Sequence, residues 1–289
     1  MHSGCGSTQP ATDPVAEASA TDDVEGSVVE VQPTASDDVG IDDVVIDDAG
    51  VGDVEVARVA DALDQQLVQQ VIACRKLADN SIVSGFYATQ DKPHRALNAL
   101  RDTVRRSSAL VASLVDANGV VTLSTDPNAE GYEFSRWGFF QSGLAGDVLA
   151  FPAVGFFAET RSLYVIVPHE NAEGERTGVV VLRSSVSPLD GLLDGLQAPA
   201  ALVYRDRYAL ATNRPDLGFH GLRRLDQRGA TIDFDDGELF DVLDAVVPAI
   251  GDTFTENGIV YAIERIPMVV PDWTLLVARA QSGAARTEY

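Results

Sequence analysis

Pairs of aspartates near the start of the chain are the first residues whose spacing could do chemistry. Asp37-Asp38, Asp42-Asp43 and Asp47-Asp48 follow one another at intervals of five residues. Carboxylate oxygens are the ligands that calcium prefers in proteins, so one interpretation is weak calcium capture. The other is an extended, solvated linker, because acidic groups without nearby cations repel one another. The linker is the interpretation that we expect to hold.

Histidine and cysteine, which supply many catalytic and metal-binding groups, are few in this sequence. The four histidines show no spacing suited to a metal: His2, His94, His169 and His220. His169 follows Pro168 beside a predicted turn, and we expect it to be solvated. The two cysteines, Cys5 and Cys74, are too few for a disulfide framework or a cysteine-based zinc site.

Motifs of common enzyme classes are also missing. The chain has no Gly-x-Ser-x-Gly elbow, no phosphate-binding glycine loop and no His-Glu-x-x-His zinc motif. We therefore predict no catalytic residues, no metal and no cofactor, and we expect a binding protein rather than an enzyme.

The negative charge is concentrated at the N-terminal end. Of the 44 acidic residues, 14 lie in residues 1–57, which contain no Lys or Arg, and the whole chain has a net charge of −23. Such a balance disfavours nucleic acids and anionic membranes as partners. Residues 1–52 also lack aromatic side chains, so we predict a disordered acidic tether. No apolar stretch reaches the length that spans a bilayer.

The residues around Cys5 resemble the cleavage region of a bacterial lipoprotein. Gly4 is the small residue before the cysteine, and a polar segment follows. The resemblance implies lipidation of Cys5 and attachment to a membrane. His2 departs from the pattern, which prefers Leu there, and the expected hydrophobic leader is missing from the sequence. An incidental exposed cysteine is the alternative, and the sequence leaves both open.

Two helices are predicted before the first strand, within residues 53–106. From Asp53 onwards, apolar residues recur at steps of three and four, which is typical of a long amphipathic helix. They are Val56, Val59, Ala60, Leu63, Leu67, Val71, Cys74 and Leu77. We expect Cys74 to be a small buried hydrophobe rather than a nucleophile. A second helix is predicted from Pro93, which suits a first-turn position.

The rest of the chain is rich in strands and repeats one design. Residues 109–115 and 120–124 predict a hairpin around an Asn-Gly turn. Further strands are predicted at 162–167, 178–184, 201–204, 208–211, 259–265 and 273–278, with a helix at 237–250. The predicted fold class is α+β, a long N-terminal helix followed by two PAS-like lobes. Each lobe, 107–197 and 198–289, holds an antiparallel sheet with flanking helices.

This order of elements resembles the double Cache sensor domains of bacterial chemoreceptors and sensor kinases. The resemblance rests on residues 115–124 (VDANGVVTLS), 131–146 (GYEFSRWGFFQSGLAG), 178–182 (GVVVL) and 272–277 (DWTLLV), and it covers about residues 53–280. It implies an extracytoplasmic sensor whose first, membrane-distal lobe holds a small molecule between its sheet and connecting helix. It also implies a membrane-proximal second lobe. We expect the long N-terminal helix to provide the interface of a homodimer.

The resemblance further implies a set of ligand-binding residues. The family's signature arginine falls at Arg136, whose guanidinium is a suitable clamp for a carboxylate. Apolar walls are expected from Trp137, Phe139, Phe140 and Phe156, since small-molecule pockets are mostly apolar. The alternative is that these aromatics only form the core and that Arg136 makes a structural ion pair.

Two departures from the family pattern bear on the ligand. Phe139-Phe140 stands where amino-acid-binding members have an aromatic pair ending in Tyr, and Gly138 is an insertion. Arg183 stands where those members have the aspartate that holds the ligand's ammonium. The resemblance therefore implies an anionic ligand, a carboxylate rather than an α-amino acid, although an alignment slip of one residue would turn Arg183 to the other face.

Three functions remain open from the sequence. The first is a tethered sensor that signals through a partner protein. The second is an excised ectodomain of a chemoreceptor or sensor kinase. The third is a structural or interaction lipoprotein whose lobes bind no ligand.

Overall fold

The N-terminal part of the structure is formed by three helices. The computed structural model describes residues 48–154, 161–206, 208–214, 223–224, 252–256 and 258–281. The helices are α1 (Asp48–Ala78), α2 (Ser81–Thr89) and α3 (Pro93–Ser107). Helix α1 begins five residues before the predicted start, and the sequence did not predict α2. Cys5 and the first two aspartate pairs lie outside the described residues.

The first sheet contains five described strands, and all of the pairings between them are antiparallel. The strands are β1 (Ala109–Asp116), β2 (Val121–Ser124), β3 (Leu149–Val154), β4 (Arg161–Glu170) and β5 (Arg176–Ser185), in the order β2-β1-β5-β4-β3. A 3-10 turn (Pro127–Ala129) and helix α4 (Gly138–Ala145) connect β2 to β3, and helix α5 (Ser187–Leu193) follows β5.

The hairpin between β1 and β2 is closed by the predicted turn. The Asp116 carboxylate accepts hydrogen bonds from the backbone N–H groups of Asn118 and Val120, at 3.0 and 2.8 Å. Gly119 has a φ of 86°, and a Cβ there would lie 2.5 Å from the backbone nitrogen of Ser135. The turn therefore requires glycine for both its conformation and its close contact.

The second sheet contains six described strands. They are β6 (Ala200–Tyr204), β7 (Tyr208–Thr212), β8 (Arg223–Arg224), β9 (Thr253–Glu256), β10 (Ile259–Pro267) and β11 (Trp273–Ala280), in the order β8-β7-β6-β11-β10-β9. The pairing of β7 with the two-residue β8 is parallel, and the others are antiparallel. The helix predicted at 237–250 lies outside the described residues. The predicted α+β class, with two sheets behind a long helix, is confirmed.

Helix α1 packs its apolar stripe on one face of the first sheet. Leu63, Leu67 and Cys74 on this stripe are fully buried. The Cys74 thiol donates to the backbone carbonyls of Val165 and Val180, and burial raises its pKa. The prediction that Cys74 is a buried hydrophobe is confirmed.

His169 contradicts the expectation that it is solvated. Its side chain is 2% exposed, and its ring stacks on Tyr87 of α2 at 4.2 Å between centroids. Its Nδ1 and Nε2 are hydrogen-bonded with the hydroxyls of Thr177 and Ser84, at 2.7 and 3.0 Å. The turn beside Pro168 suggested exposure, but α2 covers this end of the sheet and buries the ring.

The two sheets are held together by specific polar contacts. The indole N–H of Trp273 donates to the carbonyl of Ala150 at 2.9 Å. Arg161, at the start of β4, donates to the carbonyl of Leu210 on β7 and pairs with Asp190 of α5 at 3.2 Å. Within the described residues, no helix has the length and apolar character needed to cross a membrane, and no cluster of three potential metal ligands occurs.

Candidate ligand-binding site

The candidate site lies on the face of the first sheet that is turned away from α1. Ser184 points towards α1, because its hydroxyl donates to the Gln70 side chain at 2.7 Å. Successive residues of a strand point to opposite faces, so Arg183 points to the other side. A cavity of about 40 Å³ lies on that side. Its lining comprises Val111, Ser113, Val121, Asp126, Ala129, Phe134, Tyr164, Val181 and Arg183.

Arg183 is the cationic group of this cavity. It is half-buried, and β-pairing places it between Val111 of β1 and Tyr164 of β4. Its Nε donates to the Ser162 hydroxyl at 3.0 Å, which fixes the orientation of the guanidinium. Burial raises the pKa of the Tyr164 hydroxyl, and the Arg183 charge opposes that shift. Tyr164 therefore carries its proton at neutral pH and can donate a hydrogen bond.

Asp126 brings a negative charge to the same wall. It caps the 3-10 turn, and its Oδ1 accepts from the backbone N–H of Asn128 at 3.0 Å. The backbone N–H of Asp126 donates to the Ser124 hydroxyl at 3.1 Å, which anchors the turn to β2. Among its described lining residues, the cavity thus has one cation and one anion on mainly apolar walls.

A chain of aromatic rings fills the space between the cavity and α4. Neighbouring ring centroids lie 5.2 Å apart for Phe134 and Trp137, 5.0 Å for Trp137 and Phe139, 5.4 Å for Phe139 and Phe151, and 5.7 Å for Phe151 and Tyr164. Such edge-on and offset arrangements stabilise aromatic clusters beyond their burial. The chain ends at Tyr164, which belongs to the cavity wall.

Helix α4 is held close to the sheet by a glycine. A Cβ at Gly143 would lie 2.7 Å from Ile166 and 3.3 Å from Val179, so a larger residue would push the helix away. Phe139 and Phe140 on α4 are buried, at 6% and 3% exposure, and Trp137 just before it is 7% exposed. The helix and its aromatics therefore cover the cavity side of the sheet.

The residues that the sequence predicted for the site are only partly brought together. Arg183 lines the cavity. Trp137 and Phe139 lie in the adjoining aromatic cluster, Phe140 is buried on α4, and Arg136 is exposed and absent from the described lining. Phe156 lies outside the described residues. That these six residues bind a ligand stays a prediction.

Several residues that line the cavity were not predicted from the sequence. Val181 follows from Arg183 by strand alternation, and Ser113 shares a face of β1 with Val111 by the same rule. Tyr164 could be found only from the pairing of β4 with β5, which the sequence does not give. Asp126 depends on the conformation of the turn after β2.

Comparison with known proteins shows which solved structures have a similar fold. No family model and no curated protein sequence matches the chain. Among solved structures, it is similar to the sensor domain of the Vibrio cholerae histidine kinase DctB. The TM-score is 0.58 and the identity 17%, over 81% of this chain and 97% of that one.

Two chemoreceptor domains are also similar, with slightly lower TM-scores. The ligand-binding domain of Campylobacter jejuni Tlp3, in complex with 4-methylisoleucine, matches with a TM-score of 0.55 and 14% identity over 83% of this chain and 92% of that one. The ligand-binding domain of Pseudomonas aeruginosa PctC, in complex with GABA, matches with a TM-score of 0.53 and 17% identity, over 81% of this chain and 98% of that one. The resemblance to double Cache sensor domains is confirmed at the level of the fold.

Proposed function

We propose that the protein is an extracytoplasmic sensor module that binds a small carboxylate-bearing molecule in the first-sheet cavity. The observation that supports this most directly is the position of Arg183 on the cavity wall, held by Ser162. The three similar structures described above are sensor or ligand-binding domains, one of them in complex with 4-methylisoleucine and another with GABA. Recognition would be noncovalent.

The polar groups of the cavity wall are suited to bind the carboxylate group of the ligand. The planar guanidinium of Arg183 offers paired donors to a carboxylate, and each charge-assisted hydrogen bond contributes about 1.5–3 kcal/mol. The protonated Tyr164 hydroxyl and the Ser113 hydroxyl line the same wall. The apolar side chains of Val111, Val121 and Val181 would contact the ligand's carbon skeleton.

Binding requires the cavity to enlarge. Its volume of about 40 Å³ holds little more than one water molecule, whose share of liquid volume is about 30 Å³. Ligand pockets generally measure about 300–1,000 Å³. The ligand would therefore displace side chains of the aromatic chain that runs from Phe134 to Tyr164. It would bind to, and so stabilise, an open state of the lobe. That displacement is the structural change that a sensor can transmit.

Asp126 supports a second candidate ligand, a molecule with both a carboxylate and an ammonium group. Arg183 alone disfavours an ammonium, but Asp126 on the same wall offers an opposite charge. Its Oδ1 is already engaged by the backbone of Asn128, which weakens it as an acceptor for a ligand. The carboxylate alone is therefore the first choice.

The remaining parts of the proposal concern assembly and location. The 31-residue helix α1 would provide the surface for a homodimer. Cys5 would carry a lipid that tethers the module outside the cytoplasm. The ligand state would then pass to a partner protein.

Calorimetric titration with matched ligand pairs tests the ligand assignment. Succinate and aspartate differ by one ammonium group, as do propionate and alanine. We expect succinate or propionate to bind the wild-type protein more tightly than its amino-acid counterpart. Arg183→Ala should weaken that binding about ten- to a hundredfold, because 1.4 kcal/mol corresponds to a factor of ten.

Arg136→Ala is the matched control, since Arg136 is exposed and outside the described lining. Carboxylate binding that survives in Arg183→Ala but is lost in Arg136→Ala would place the ligand at the family's arginine instead. Preferential binding of the amino acids, reduced by Asp126→Asn, would favour the second candidate. If none of the four ligands binds, the proposed ligand class is wrong.

A further inference from the structure

A second concave site lies on the opposite side of the first sheet, between α1 and α3. It is a groove of about 610 Å³, which is large enough for a small organic ligand. Its lining comprises Gln66, Gln69, Gln70, Ile72, Ala73, Lys76, Asn80, Thr103, Arg106, Ser107 and Ser108. Gln70 at its base is bonded to Ser184, the neighbour of Arg183 on β5. The groove and the cavity described above therefore lie on opposite faces of the same strand.

The charge of the groove contrasts with that of the whole protein. The chain has a net charge of −23, yet the charged residues that line the groove are Lys76 and Arg106, with no acidic residue among the described lining. Within the described part of the chain, neither cation forms an ion pair. The neighbouring Arg105, in contrast, is paired with Asp102. Lys76 and Arg106 each lie in the last turn of a helix, where a cation interacts favourably with the helix dipole. That interaction does not require both side chains to line the same groove.

One residue of the groove lining, Thr103, has a nearly buried side chain whose hydroxyl has no hydrogen-bond partner among the described residues. Thr103 is only 8% exposed, and its side-chain hydroxyl forms no hydrogen bond with a described residue. Burying a hydroxyl without a partner costs free energy, so such groups usually have a partner from outside the chain. Gln70, which lines the same groove, uses one of its two amide N–H groups for the carbonyl of Ser107 at 2.9 Å, and its amide oxygen accepts from Ser184. The Thr103 hydroxyl and the second Gln70 N–H are therefore the polar groups that this side of the groove can offer to a ligand.

We propose that this groove binds a small polyhydroxylated anion, such as a sugar phosphate or a sugar acid. Arg106 and Lys76 would hold the anionic group, the arginine with its planar fork and the lysine as a point charge. The amides of Gln66 and Gln69 both donate and accept, as sugar hydroxyls require. Thr103 would bond to a ring hydroxyl at the base.

The remaining lining suits the rest of such a ligand. Ile72 and Ala73 present an apolar strip of α1 to the groove, which can contact the C–H face of a sugar ring. Ser107 and Ser108 offer hydroxyls at the end of α3. The site is independent of the proposed carboxylate cavity and needs no movement of the aromatic cluster.

Calorimetry on the full chain tests this proposal with four probes: glucose 6-phosphate, glucuronate, glucose and inorganic phosphate. We expect at least one of the two sugar anions to bind, and to bind more tightly than either glucose or phosphate. Arg106→Ala should weaken that binding about tenfold or more, as expected for loss of a charge-assisted contact. Thr103→Val, which removes the hydroxyl and keeps the shape, should also weaken it.

Two control variants separate this site from others. Arg105→Ala removes a neighbouring cation that does not line the groove, and Arg183→Ala removes the cation of the first-sheet cavity; both should bind the sugar anion as the wild type does. The proposal is overturned if neither sugar anion binds, or if phosphate binds as tightly as glucose 6-phosphate, which indicates an adventitious ion only. It is equally overturned if Arg105→Ala weakens binding as much as Arg106→Ala, or if only Arg183→Ala has an effect.

Discussion

The indole N–H of Trp273 donates a hydrogen bond of 2.9 Å to the backbone carbonyl of Ala150 and so joins the second sheet to the first. Trp273 is 2% exposed, and its ring also contacts Tyr204 at 5.2 Å between centroids. Ala150 precedes Phe151, which stacks on Tyr164 in the cavity wall. The last described strand, β11, is therefore bonded to β3, whose Phe151 contacts the cavity wall at Tyr164.

The first prediction concerns this bond. Trp273→Phe removes the donor and leaves the Ala150 carbonyl buried without it, so the free energy of unfolding should fall by about 1–3 kcal/mol. Urea denaturation followed by circular dichroism measures the loss. The chain has two tryptophans, so the fluorescence of this variant reports Trp137 in the first lobe alone. An unchanged urea midpoint would show that the bond contributes nothing to stability.

The second prediction concerns the contact of β5 with β1 and α2. A Cβ at Gly178 would lie 2.1 Å from the carbonyl oxygen of Val115 and 2.8 Å from the Tyr87 ring. Gly178→Ala must shift the backbone and should destabilise the protein by about 1–3 kcal/mol, as overpacked core substitutions do. Gly191→Ala is the control, because nothing lies near its Cβ position and alanine favours helix α5 by about 0.5–1 kcal/mol. Thermal midpoints of the two variants should move in opposite directions, and equal shifts would contradict the assigned contact.

The third prediction concerns the reactivity of Cys74. Burial raises the pKa of its thiol, and the thiolate is the form that reacts with alkylating agents. In a Cys5→Ser chain, where Cys74 is the single cysteine, we expect no alkylation by iodoacetamide under native conditions and complete alkylation in urea. Intact-mass spectrometry distinguishes the two states. Alkylation of the native protein at a rate close to that in urea would mean that α1 separates readily from the sheet.

The sequence predicts those elements whose signal is local. The stripe from Val56 to Leu77 identifies α1, and the Asn-Gly turn identifies the first hairpin, because periodicity and turn chemistry both act over a few residues. Helix α2 escaped because it is short and is started by a single capping contact, in which the Asn80 side chain accepts from the N–H of Ile82. Strand β3 was not predicted because Pro152 disfavours a strand in the interior of a sheet. In the structure β3 lies at the edge of its sheet, where proline is tolerated.

The candidate site is less accessible to sequence reasoning because it depends on contacts between distant elements. Arg183 could be placed from a motif and from strand alternation. Tyr164 reaches the same wall only through the register of β4 on β5, and Asp126 only through the turn that it caps. His169 was misjudged for the same reason, since Ser84 and Tyr87, which bury it, lie in an unpredicted helix more than 80 residues earlier.

The last prediction concerns the pH dependence of stability through His169. Burial lowers the pKa of its imidazole, and the negative charges of Asp79 and Glu170 oppose this shift without cancelling it. Below the unfolded value of about 6.5, the unfolded chain binds a proton more readily than the folded chain. The contribution of His169 to stability is therefore fully present above that pH and is lost as pH falls towards the lowered folded value.

Urea unfolding between pH 8 and 5 measures this loss. The wild type should lose stability on acidification below about pH 6.5, and His169→Gln should lose less over the same interval, because it has no imidazole to protonate. His94→Gln, at an exposed position on α3, is the control and should follow the wild-type profile. Carboxylates that titrate at the acidic end affect all three proteins alike, so the difference between profiles isolates His169. If His169→Gln keeps the wild-type dependence on pH, protonation of this buried imidazole does not limit the stability of the fold.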